Sequence, residues 1–108
     1  MELELTDPYY KEKSQALTAL HGVIDPELYI NIVDLGLVYD LDFSDKNEIT
    51  ITMTLTTPHC PLEEAISNGV DNAMKPIFPD HKLNLNIVWE PEWNMDMMSE
   101  EARDQLGL

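Results

Sequence analysis

The sequence predicts an α+β fold: one small domain in which a helix, a β-hairpin, a second helix and a third strand follow in order, closed by a short C-terminal helix. Three observations carry this. Ile49, Ile51, Met53 and Leu55 alternate with Thr50, Thr52, Thr54 and Thr56, the most regular period-2 pattern in the chain. From Leu62 the apolar spacing changes to three and four, which is helical. Leu83, Leu85, Ile87 and Trp89 then alternate again. A strand, a helix and a strand in succession form a right-handed crossover, so the third strand should lie parallel to the second. The result is a three-stranded mixed sheet with helices over its apolar face. The threonine face is left to solvent, to a partner or to the C-terminal segment.

The 108 residues suit a single domain over 1–108, with 1–7 as a flexible lead and 90–108 as a lid segment. One cysteine cannot form an intramolecular disulfide, and a free thiol suits a reducing cytosol. The start is acidic, and no apolar run approaches the roughly 18 residues of a membrane span, so the expected location is cytoplasmic. Six Lys and Arg against 21 Asp and Glu give a net charge of −15. That charge repels phosphate backbones and anionic lipid, which argues against nucleic acid and membrane partners. The same acidity serves solubility or steers the chain toward a basic protein partner; the sequence leaves both open.

In chain order, Asp7-Pro8 reads as a helix cap and first helical position. Ala16, Leu17, Leu20, Val23 and Ile24 give an apolar face on a helix ending around His21-Gly22. His21 reads as a surface or capping residue. Asp25-Pro26-Glu27 reads in two ways. Asp25 caps a short turn, or two carboxylates are held close by a rigid ring and offer oxygens to a metal or a thiol. Asn31 to Gly36 forms a turn, with Gly36 in a left-handed or close-packed position. Leu37, Tyr39, Leu41 and Phe43 alternate with Val38, Asp40 and Asp42 as the first strand, and Ser44-Asp45-Lys46-Asn47 turns the chain into the second.

The second helix has Leu62, Ala65, Ile66, Gly69, Val70, Ala73 and Met74 on its apolar face and ends at Pro76. At its start Pro61 suits the first helical position and leaves Cys60 as the N-cap. Unpaired N–H groups and the helix dipole there favour thiolate, the form that binds soft metals or attacks electrophiles. Glu63 and Glu64 oppose that lowering. The alternative is a cysteine that fills a small apolar pocket. Trp93, Met95, Met97 and Met98 make the C-terminal segment either a lid packed on the sheet or a partner-binding surface, with Ser99 capping the closing helix.

There is no glycine-rich phosphate loop, no G-x-S-x-G elbow and no C-x-x-C pair. His59 adjoins Cys60 in sequence, a spacing that seldom lets both side chains face one substrate, and no oriented base accompanies Cys60. A hydrolase or thiol-enzyme reading is therefore weak.

Four stretches in order, Asp25-Pro26-Glu27, Val33 to Tyr39, Thr56 to Leu62, and Val88 to Pro91 with Trp93 and Met97 to Arg103, resemble the SufT-like family. Its domain also occurs in the PaaD subunit of phenylacetyl-CoA oxygenation and in the eukaryotic MIP-eighteen proteins. The resemblance runs from about Ala16 to Leu108. It implies a fold similar to the C-terminal domain of NifU and a non-enzymatic role in maturing or delivering iron-sulfur clusters. It carries the reactive cysteine onto Cys60 and the characteristic acid onto Asp25, with Glu27 beside it. Thr56, Thr57, Pro58, His59 and Pro61 form the supporting loop, and Trp93, Met97 and Met98 the partner surface. Glu92 stands where proline is common, and His59 where a small residue is frequent.

A cluster needs about four thiolate or equivalent ligands and one chain offers one, so a transient cluster or iron is expected, with none tightly bound. A symmetric homodimer would bring two Cys60 thiolates together, and the other partners implied are scaffold or client proteins. The competing reading is a PaaD-like, non-catalytic subunit of an aromatic-CoA oxygenase. The resemblance gives that branch a further cysteine-containing region, and Cys60 is the lone cysteine here.

Overall fold

The computed structural model describes residues 3–44, 47–56 and 60–107, with 60 and 61 described for their backbone alone. The elements are α1 (Tyr10–Leu20), β1 (Val38–Ser44), β2 (Glu48–Met53), α2 (Cys60–Met74), β3 (Lys82–Ile87), a 3₁₀ turn (Met95–Met97) and α3 (Glu100–Leu106). This is the expected α+β order. The sheet runs β1-β2-β3, with β1 antiparallel and β3 parallel to β2, the mixed arrangement that the crossover requires.

Register brings the apolar rows together. Phe43, Ile49 and Leu83 lie abreast, as do Leu41, Ile51 and Leu85. Against them pack Ala16 and Leu20 of α1 and Leu62, Ile66, Val70 and Met74 of α2, all buried. Each fully buried Leu, Ile or Val side chain contributes about 1.5–3 kcal/mol, so this face is the main stabilising surface. On the other face Thr50 and Thr52 are half-exposed, between exposed Asp40 and Asp42 on one side and Asn84 and Asn86 on the other. Tyr9, Phe43, Phe78 and His81 extend the core as stacked and edge-on rings.

Several local expectations are corrected. Helix α1 starts at Tyr10, because Asp7 caps a turn before it: its Oδ1 accepts from the Tyr9 N–H and its carbonyl from the Tyr10 N–H. The carboxylate of Asp7 is held below its usual pKa, first by the hydrogen bond from Lys13 and then by the Tyr9 amide. Val23 and Ile24 lie beyond the helix. The chain turns at His21-Gly22, Val23 accepts from the Ile32 N–H, and Ile24 bridges to Asn31 and is exposed. In β1 a register shift between Val38 and Asp40 buries Leu37 and Val38 together and moves Tyr39 out of the inward row. Thr54 leaves the polar face and is buried where β2 has ended, its N–H donating to the Leu37 carbonyl. Ala65 of α2 is exposed. Strand β3 stops at Ile87, leaving Trp89 outside it and 46% exposed. Asp45 and Lys46 of the hairpin turn lie outside the described residues; Asn47 has φ +57, a left-handed value that asparagine tolerates.

Candidate functional site

Pro26 presets the backbone of a tight turn, and Asp25 closes it from both sides. The Asp25 N–H donates to the Ile30 carbonyl (2.9 Å), and the Asp25 carbonyl accepts from the Tyr29 N–H (2.8 Å). Asp25 Oδ1 accepts from the N–H groups of Glu27 (2.7 Å) and Leu28 (3.0 Å). The capping role is therefore present. It uses one carboxylate oxygen only. Asp25 is fully buried, and Oδ2 has no hydrogen-bond partner among the described residues. A buried carboxylate oxygen without a donor is costly, which makes this atom a candidate acceptor or ligand. Glu27 is exposed on the same turn.

Cys60 is the first residue of α2 rather than the cap before it, and Pro61 is the second. Proline is tolerated in either position because first-turn N–H groups have no intrahelical acceptor. The Cys60 backbone thus sits where donors and dipole favour an anion, with Glu63 in the same turn as an opposing charge. Thr57, Pro58 and His59 lie outside the described residues. Thr56, at the near end of that loop, has a buried Oγ1 without a partner among them. Among the described residues no group of three or more His, Cys, Asp or Glu side chains converges to hold a metal.

The C-terminal segment is pinned to the 31–37 turn and to Tyr39 of β1. The Trp93 indole N–H donates to the Leu35 carbonyl (2.6 Å), the Ser99 N–H to the Asp34 carbonyl (2.7 Å), and the Tyr39 hydroxyl to the Pro91 carbonyl (2.7 Å). Burial pushes the Tyr39 hydroxyl above its ordinary pKa, against a smaller opposing effect of its bond with Thr54, so it remains a donor. Gly36 has φ +78, and a Cβ there would collide with the Met97 carbonyl. Met98 is buried, Trp93 and Met97 are half-buried, and Met95 is the exposed methionine. Ser99 caps α3 as expected, its hydroxyl accepting from the Ala102 N–H.

Between this segment and the end of β2 lies a cavity of about 430 Å³ lined by Thr54, Leu55, Thr56, Trp89, Glu92 and Trp93. Sequence reasoning placed Trp89 in the strand and Thr54 on the polar face, and so missed it. The available signal was the run Trp89-Glu90-Pro91-Glu92-Trp93, two indoles and two acids around a proline.

Residues 13–83 match the family described as iron-sulfur cluster assembly protein. The chain is 44% identical over 86 residues to the Fe-S protein maturation auxiliary factor SufT of Staphylococcus aureus, covering 80% of this chain and 98% of that one. It is 36% identical over 104 residues to an Fe-S protein maturation auxiliary factor of Porphyromonas gingivalis, covering 96% and 99%. A crystal structure of a domain of unknown function from Bacillus anthracis superposes with a TM-score of 0.81 at 38% identity, covering 88% of this chain and 91% of that one.

Proposed function

Because the chain belongs to the family of iron-sulfur cluster assembly proteins, we propose that it is an accessory factor that matures or delivers clusters to client proteins through the loop carrying Cys60. It turns over no substrate of its own. The cluster or iron is cargo, met transiently. The observation that carries this reading is that near full-length relatives are Fe-S protein maturation auxiliary factors.

In this reading the Cys60 thiolate contacts iron, favoured by its place at the start of α2. Asp25 orients the loop or supplies an oxygen; its unpartnered Oδ2 supports the second role. Glu27 adds an exposed carboxylate on the same turn, and Thr56, Thr57, Pro58, His59 and Pro61 shape the loop. One thiolate per chain keeps binding weak, which suits handover, and a symmetric dimer would supply a second. Trp93 and Met97 contribute to the surface that meets scaffold or client proteins.

Anaerobic reconstitution with iron and sulfide tests this, following visible absorption, iron content and oligomer mass for the wild type and Cys60→Ala. Cluster-like absorption that requires Cys60 is the expected result. Equal iron and absorption in both proteins would overturn the role given to the thiol.

A further inference from the structure

We propose that the cavity lined by Trp89, Trp93, Leu55 and Glu92 is a socket for an arginine side chain of a partner protein. This deepens the proposed function by stating the chemistry of the partner, and rests on it. Two indoles give flat, electron-rich walls, and a guanidinium stacked on such a face is attracted by the ring quadrupole. The Trp93 ring is fixed by its 2.6 Å bond to the Leu35 carbonyl, so this wall is formed before a partner arrives. Trp89 is 46% exposed, an unusual state for a large aromatic and open to contact.

Glu92 supplies the counter-charge. It makes no ion pair among the described residues, where the ion pairs are Lys13 with Asp7 and Arg103 with Asp96. A planar donor fork can therefore meet the Glu92 carboxylate while its faces stack. An ammonium matches this poorly, being compact and strongly hydrated. The net charge of −15 attracts a basic partner from a distance and disfavours an acidic one. Cys60 is four positions on from Thr56 in the chain, a span of at most about 14 Å. An arginine seated here would hold the partner's surface beside the loop that carries the thiol.

The test uses metal-free wild-type protein, so it reads nothing of cluster chemistry. The blocked pentapeptide Gly-Ser-Arg-Ser-Gly is titrated while the two indole N–H resonances are followed, alongside versions with citrulline, lysine or leucine in place of arginine. The expected result is saturable shifts of both indole signals with arginine, and binding weaker by about tenfold or more with citrulline, which keeps the shape and loses the charge. Glu92→Gln, at an exposed position, should weaken arginine binding by about tenfold at unchanged thermal stability. No indole shift, equal binding of citrulline, or tightest binding of leucine or lysine would overturn the proposal. A failed peptide titration with Cys60-dependent reconstitution would discard the socket alone; the converse pair would discard the thiol's role alone.

Discussion

At the Asp25 turn the backbone closes on itself: four hydrogen bonds join residues 25 to 30, and the carboxylate that organises them is fully buried. The two-tryptophan cavity is open, and its carboxylate, Glu92, is exposed and without an ion pair among the described residues. The first region uses its acid to define a shape, with Oδ2 left over. The second holds its walls from behind, through the Trp93 and Tyr39 bonds, and leaves its acid free to face outward. The difference separates two kinds of acidic residue in a chain that has 21 of them. An acid buried within its own turn positions the backbone, and an acid exposed beside apolar walls is available for recognition.

The sharpest way to break the second region is at its support. Gly36→Ala places a Cβ against the Met97 carbonyl at a left-handed φ, so neither the side chain nor the backbone fits. A loss of roughly 2–4 kcal/mol is expected in denaturant unfolding, with Trp93 more exposed to quencher. The first region is broken next. Asp25→Ala removes the acceptor of the Glu27 and Leu28 N–H groups, and should cost about 2–3 kcal/mol in the same unfolding measurement. The smallest effect separates wall from fold. Trp93→Phe keeps an aromatic ring, though a smaller one, and loses the N–H to Leu35, for roughly 1–2 kcal/mol in thermal unfolding.

How legible these regions were follows from their physics. The hairpin, the two long helices and the parallel third strand were readable because each follows a period that a buried face imposes, from Ile49 to Met53 and from Leu62 to Met74. The Asp25 turn was readable in its capping half, since Asp-Pro chemistry is local; the empty Oδ2 depends on packing and was not. Period failed where bonding beyond the elements took over. Val23 and Ile24 fit a helical face yet pair with Ile32 and Asn31, and Thr54 fits a polar face yet is drawn inward toward Leu37. Tyr39 was displaced by a register shift that no alternation encodes. The cavity went unseen for the same reason: its walls come from residues 54–56 and 89–93, brought together by the fold.

The role proposed for Cys60 in cluster handover is tested by the activation of a purified apo iron-sulfur client. The rate of activation by a cluster-loaded scaffold would be followed without this protein, with the wild type and with Cys60→Ser. The expected result is acceleration by the wild type and loss of most of it in Cys60→Ser, with the fold intact by circular dichroism. Full acceleration by Cys60→Ser would contradict it.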